Sequence, residues 1–323
     1  MKIGLPRAFL YYKYKKLWEV FFEELGCQIV VSEESNKKIL SDGINLSIDE
    51  SCLPSKIYMG HVQSLIGKCD YILVPRIASF GKGEMACTKF NAMYDIVKNT
   101  LQGIHLIDYN IDVNNGNHEL QGFLHMGKVI GKGNIETLKA YINAKKQNRI
   151  YHKSKISLQS KVLESSKQMK ILIVSHPYNT YDKLIGYPII KYLKELDVIP
   201  IYADLCNSKE SIKHSKELSK CLYWTFNKEL IGAIEIYKDN VDGIIFITAF
   251  PCGPDSLVNE LVLRKFKELP MANIILDELQ GEAGLQTRIE SFIDIIRAKH
   301  TMNEATHEDS KDLHQGKLES SII

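Results

Sequence analysis

The chain has 323 residues, 45% of them hydrophobic and 25% charged. That is ordinary globular composition, enough for about two domains, and it excludes a disordered, collagen-like or disulfide-stapled miniprotein. The 41 basic and 39 acidic residues nearly cancel to +2, so no global basic field gathers nucleic acid and no nucleic-acid partner is expected.

No apolar run reaches about 18 residues, so no membrane span and no membrane partner are expected. The start, MKIGLPRAFLYYKYKK, lacks an apolar stretch ending in a small-residue cleavage site, which predicts a cytoplasmic protein. In that reducing compartment the seven cysteines read as thiols or metal ligands rather than as a disulfide frame.

The N-terminal half alternates strand and helix signals. Lys2–Pro6 reads as a strand, and Tyr11–Leu25 as a helix carrying Leu17, Val20, Phe21 and Leu25 at helical spacing. Gln28–Val31 is a strand, Glu33–Asp42 a helix ended by Gly43, and Pro54–Ile66 a helix with proline near its first position. Tyr71–Pro75 is a strand of the buried type, Phe90–Leu101 a helix and Ile104–Ile107 a strand. After a polar stretch at Asn114–Gly116, helical patterns occupy about Gly122–Ile130 and Glu136–Lys146.

Lys153–Lys170 is basic and serine-rich, and then the alternation restarts. Strands are predicted at Lys170–Val174, Val198–Tyr202, Gly243–Ala249 and Met271–Leu276. Helices are predicted at Ile185–Leu196, Ser208–Leu218, Leu222–Tyr237, Ser256–Leu269 and Gly284–Ala298. The halves share a layout but no readable sequence repeat. The expectation is an α/β chain of two Rossmann- or flavodoxin-like lobes with parallel sheets and a ligand or cluster cleft between them. The lobes are assigned to 1–150 and 170–300, with 151–169 a linker or connecting helix and 301–323 a flexible tail.

Three cysteines stand in loops with unusual neighbours: Cys52 in IDESCLPSK, Cys87 in GEMACTKF and Cys252 in TAFPCGPDS. Cys252 follows the strongest strand of the second half, where open parallel sheets bind ligands. Proline-led helix starts after Cys52 and Cys252 would favour anionic sulfur there. No CxxC occurs, which argues against a zinc ribbon or ferredoxin-type site. Three separated thiolates fit a 4Fe-4S cluster with one iron open; buried structural thiols are the other reading. Cys27, Cys69, Cys206 and Cys221 read as structural.

Pro6-Arg7, Pro75-Arg76 and His176-Pro177-Tyr178-Asn179 end strands. Their arginines suit either an anionic ligand or salt bridges at the sheet rim. Asp277-Glu278 and Gly281-Glu282-Ala283-Gly284 lie in the last strand–helix unit. Neither GxxxxGK[ST], a full GxGxxG nor GxSxG occurs, so ATP hydrolysis would belong to another chain.

Together the segments IGLPRAFLYYKYKKLWEVFFEELGCQIVVS, DESCLPSKIYMGHV, YILVPRI, ACTKF, SHPYNTYD, FPCGPDS and LDELQGEAGLQTRIESFID resemble the acyl-CoA dehydratase activase-related proteins. More distantly they are similar to the iron–sulfur subunits of 2-hydroxyacyl-CoA dehydratases and benzoyl-CoA reductases. The likeness runs from about Met1 to Arg297 and is weak from Asn114 to Lys167. It implies a 4Fe-4S cluster held by Cys52, Cys87 and Cys252, with a double-cubane cluster in another branch. It further implies low-potential electron transfer or reductive dehydration of an acyl-CoA, a related subunit in a homo- or hetero-oligomer, and a separate ATP-dependent iron–sulfur activator. A non-catalytic electron carrier and a cluster-free ligand-binding protein are the alternatives.

Overall fold

Residues 1–279 and 282–319 are described by a computed structural model. The chain divides into two compact units, Met1–Gln280 and Gly281–Ile323. In chain order the first half holds β1 (Lys2–Leu5), α1 (Tyr11–Glu24), β2 (Gln28–Val31), α2 (Lys37–Asn45), α3 (Leu53–Leu65) and β3 (Tyr71–Leu73). Then come β4 (Arg76–Gly81), β5 (Glu84–Met85), α4 (Thr88–Thr100), β6 (Leu106–Ile107), β7 (Asn110–Asp112), α5 (Glu119–Val129) and α6 (Asn134–Ser165). The remainder of the first unit holds β8 (Lys170–Val174), α7 (Pro177–Thr180), α8 (Tyr187–Glu195), β9 (Ile199–Tyr202), α9 (Ser208–Leu218) and α10 (Thr225–Tyr237). It closes with β10 (Gly243–Ala249), α11 (Gly253–Lys265) and β11 (Met271–Leu276). The second unit is α12 (Glu282–Glu319).

Two four-stranded sheets are parallel throughout, in the orders β2-β1-β3-β6 and β11-β10-β8-β9. Within each sheet the first strand lies between the second and third, so both have the same winding and both reverse direction between first and third strands. The α/β class and its two parallel sheets are therefore as the alternation predicts. Strand β10 is buried at every residue, as a central strand covered on both faces requires. Its Ile244 and Phe246 pack with Leu172, Ile201, Ile234 and Val262 in one core.

Several expectations are corrected. A small third sheet, β5-β4-β7, with β5 antiparallel, follows the first half's third strand. Its strands are too short and too mixed in polarity to read from periodicity. Residues 151–165 continue α6 in one 32-residue helix. There Gln159 bonds to the backbone of Tyr202, accepting from its N–H at 2.9 Å and donating to its carbonyl at 3.0 Å. Residues from Thr301 to 319 are helical and continue α12; 320–323 lie outside the described residues.

Gly43 does not end a helix but lies inside α2. A Cβ there would stand 1.8 Å from the Lys56 carbonyl oxygen, and one on Gly60 would stand 1.9 Å from that of Ile39. The two glycines let α2 and α3 touch backbone to backbone. Among the described residues no helix is long and apolar enough to cross a membrane.

Two devices join the sheets within the first unit. Phe9, just past β1, is buried with φ +47°, a left-handed backbone that costs a bulky residue about 1–3 kcal/mol. Its ring lies 5.3 Å from Tyr58, 5.3 Å from Phe90 and 5.4 Å from Tyr178. The second device is a buried polar chain. His61 Nδ1 is 2.9 Å from Ser32 Oγ and Nε2 is 2.9 Å from Ser35 Oγ, whose hydroxyl donates at 2.5 Å to Asp182. Because Ser35 gives its proton to the carboxylate, Nε2 must carry the hydrogen and Nδ1 must accept from Ser32. That arrangement needs a neutral ring. Burial, then the charge of Arg7, pull the His61 pKa down to about 3.

Gly43→Ala and Gly60→Ala should each destabilise the fold by roughly 2–4 kcal/mol in urea unfolding, since backbone must move. Gly133→Ala, with nothing within 4 Å of the added carbon, should stay within about 1 kcal/mol. His61 gives a pH signature. Its folded pKa lies below the unfolded value of about 6.5, so its stabilising contribution is whole above that pH and fades on acidification. The stability gap between wild type and His61→Gln should therefore shrink by about 1.4 kcal/mol per unit from pH 6.5 towards pH 4; a gap constant with pH would refute the neutral assignment.

Candidate functional site

Each of the three singled-out cysteines is the residue immediately before a helix. Cys52 precedes α3, Cys87 precedes α4 and Cys252 precedes α11, all in extended backbone. Prolines in the first turns of α3 and α11 help set those starts. Free backbone N–H groups at a helix start give the sulfurs a locally positive setting. The Leu53 N–H donates to the Phe250 carbonyl at 3.1 Å, tying the loop of Cys52 to that of Cys252.

The three sulfurs influence one another. Burial raises the Cys52 thiol pKa; the Ser55 N–H pulls it back, and Cys87 pushes it up again. For Cys252 burial again dominates, followed by Asp255, which acts through its charge and as acceptor of the thiol hydrogen; Cys52 adds to the rise. Cys87 is raised by burial and lowered by the Lys89 N–H and ammonium, with Asp255 raising it. Tyr178, pushed well above the ordinary tyrosine range by burial, is raised further by Asp255, Cys252, Cys87 and Cys52. One small region thus holds all three thiols around one phenol.

Asp255 is the hub of this region. It accepts from Asn227 Nδ2 at 2.8 Å and lies 2.9 Å from His176 Nε2. Burial pushes its carboxyl up, yet His176 and the bonds from Asn227 and Cys252 together hold it below the usual range. His176 caps α7 and stacks on Tyr178 at 5.0 Å and 11°. A cavity of about 20 Å³ is walled in part by Cys87, Cys252, His176, Tyr178 and Phe226. Asn227 and Phe226 were not singled out from sequence, and Tyr178 and Asp255 were noted only as parts of the HPYN and CGPD segments.

The structure separates the other readings. Cys27 is buried, Cys69 bonds to the Leu65 carbonyl at 3.5 Å and Cys206 packs on the second core, whereas Cys221 is exposed. Lys56 is 3% exposed and pairs with Glu278 at 2.6 Å, which leaves Lys89 as the nearer positive charge on the thiols. Arg76 is a rim salt bridge, bonded to Asp95 at 2.6 and 2.7 Å and stacked on Tyr94. Gln280 and Gly281 lie outside the described residues.

Three cysteine donors facing helix starts suit a sulfur-ligated group by their chemistry. Among the described residues no group of three His, Cys, Asp or Glu could hold a metal ion. Thiolates sharing one ion stand within about 4 Å of each other, given bonds of ~2.3 Å, whereas those on separate irons of a cluster are more widely spaced.

One protein family, described as "CoA enzyme activase uncharacterised domain (DUF2229)", matches residues 2–206. That span includes Cys52 and Cys87 but not Cys252. No curated protein matches. The crystal structure of ZnuA is similar at 10% identity over 92% of this chain and 98% of that one, with a TM-score of 0.25, a likeness too slight to carry any argument.

In iron-free protein, Asp255→Asn removes a negative charge and a thiol acceptor from Cys252. Alkylation of Cys252 by iodoacetamide at pH 8 should then run several-fold faster relative to exposed Cys221, as peptide mass spectrometry would show. An unchanged ratio would mean that Asp255 does not control this thiol.

Proposed function

Because the chain belongs to the family described as CoA enzyme activase uncharacterised domain, we propose that it is an iron–sulfur protein serving acyl-CoA chemistry. Cys52, Cys87 and Cys252 would hold a 4Fe-4S cluster, and the protein would take part in low-potential electron transfer or reductive dehydration of an acyl-CoA. The observation that carries this reading is that three cysteines, each before a different helix, are brought together: Cys87 and Cys252 wall one cavity, and the Leu53 N–H ties the loop of Cys52 to that of Cys252. When bound, such a cluster supplies a one-electron couple and, with three cysteine ligands, an iron open to an oxygen ligand.

The chain's own residues have definite tasks in this reading. All three thiols sit above their ordinary pKa, so loading must release protons, and ligation must supply what burial withholds. Lys89 and the helix-start N–H groups offset negative charge. Asp255, held ionised by His176 and Asn227, is the acceptor nearest the Cys252 proton. Tyr178 and His176 form a stacked wall that excludes water. A separate ATP-hydrolysing activator and a related subunit are the proposed partners, since this sequence has no phosphate loop.

The protonated state of the thiols gives a cluster-free ligand-binding protein as the second reading. Anaerobic reconstitution followed by iron and sulfide counting separates the two. About four irons per chain are expected, with most of the iron lost in Cys52→Ser, Cys87→Ser or Cys252→Ser and retained in Cys27→Ser and Cys221→Ser. A colourless, iron-free wild-type chain would overturn the proposal.

A further inference from the structure

A second region of the first unit is built differently. A cavity of about 330 Å³ opens where the segments after β1 and β8 come together, and four cations reach it: Arg7, Lys15, Lys155 and Lys183. Only one carboxylate, Glu34, shares its walls. Arg7 Nη1 lies 3.5 Å and Lys183 Nζ 3.8 Å from Glu34, so one acid is spread between two bases. Lys155 makes no ion pair among the described residues and lies over the Tyr151 and Tyr181 rings at 4.9 and 5.9 Å. Lys15 is likewise without an ion pair among the described residues, although Glu19 feels its charge.

The tyrosines do not neutralise this excess. Tyr12 donates to Asp182 at 3.3 Å and Tyr181 to Asp204 at 3.0 Å, so both hydroxyls are turned to buried acids behind the wall. Burial raises the pKa of both acids, that of Asp204 to about 6. Arg7 lines the cavity with its side chain about a third exposed; its Nε is sealed from solvent and unpartnered, so the Nη groups are its donors toward the cavity. Its position two residues beyond β1 is where a parallel sheet with this winding binds ligands.

We propose that this cavity binds a small molecule through a phosphate or diphosphate group, with the Arg7 Nη groups donating to phosphate oxygens and Lys15, Lys155 and Lys183 balancing the charge. With Glu34 in the wall and Asp182 and Asp204 behind it, the four cations still call for an anion in the cavity itself, and a tetrahedral oxyanion offers enough acceptors to occupy a planar guanidinium and flanking ammoniums together. The site uses none of the cysteines, so it stands whether or not iron is bound.

Inorganic pyrophosphate is the probe, titrated calorimetrically into the full-length chain at low salt. Saturable binding at one site is expected, weakening with added salt and by about tenfold or more in Arg7→Gln and Lys155→Gln, as loss of a charged donor implies. Lys155→Arg should restore most of the affinity. Circular dichroism checks the fold of each variant; if Arg7→Gln does not fold, Lys155→Gln and the half-buried Lys183→Gln carry the test. No saturable heat at millimolar pyrophosphate, or equal affinity in the well-folded variants, would overturn the site without touching the iron count.

Discussion

Phe9 is the contact on which the rest of the first unit depends. It follows the first strand of one parallel sheet and touches Tyr178, which follows the first strand of the other. Its left-handed backbone is tolerated because burying an aromatic side chain, worth about 3–5 kcal/mol, outweighs the roughly 1–3 kcal/mol that conformation costs. Tyr58 on α3 and Phe90 on α4 complete the cluster. These are the two helices whose first residues follow Cys52 and Cys87. The position of the thiols is therefore an outcome of aromatic packing, and the helix starts are oriented by a core that contains none of the three cysteines.

Around that core, burial acts differently on different groups. His61 is kept neutral by burial and by the charge of Arg7, with two serine hydroxyls meeting its ring nitrogens. Asp255 is kept charged, because a histidine and an amide meet it at hydrogen-bond distance. The thiols fall between these cases: N–H groups favour their anions, but desolvation outweighs them. A buried group without a full set of partners holds its proton until a better partner arrives.

Much of this was legible in the sequence because burial leaves regular traces. GIIFITA could only be a central strand, and the restart at Lys170 announced a second sheet. The cysteine loops stood out through the prolines and glycine beside them. Other features left no such trace. RIASFG alternates too weakly to reveal β4. Gly43 has the look of a helix stop, and only the approach of α3 explains it. The basic, serine-rich stretch after residue 150 resembles a linker, yet Val162 and Leu163 on it pack against the second core. Asp255 and Tyr178 were hidden for another reason: their importance is a matter of what lies across the fold from them, and periodicity carries no such information.

The shared strand order has a consequence for symmetry. Taken as two copies of one winding, the helix after the third strand begins at Cys87 in one copy and at Cys252 in the other, the first copy carrying the β4–β5 insertion. The helix before the third strand begins at Cys52 in one copy and at Trp224 in the other. Four equivalent corners thus hold three sulfurs and one indole. The repeat is broken at a single corner, where an aromatic ring stands in place of a fourth donor, and Trp224 walls the same small cavity as Cys87 and Cys252. Two windings of one order have been made unlike at this corner by one residue choice, which gives the region a difference that strand order alone would not.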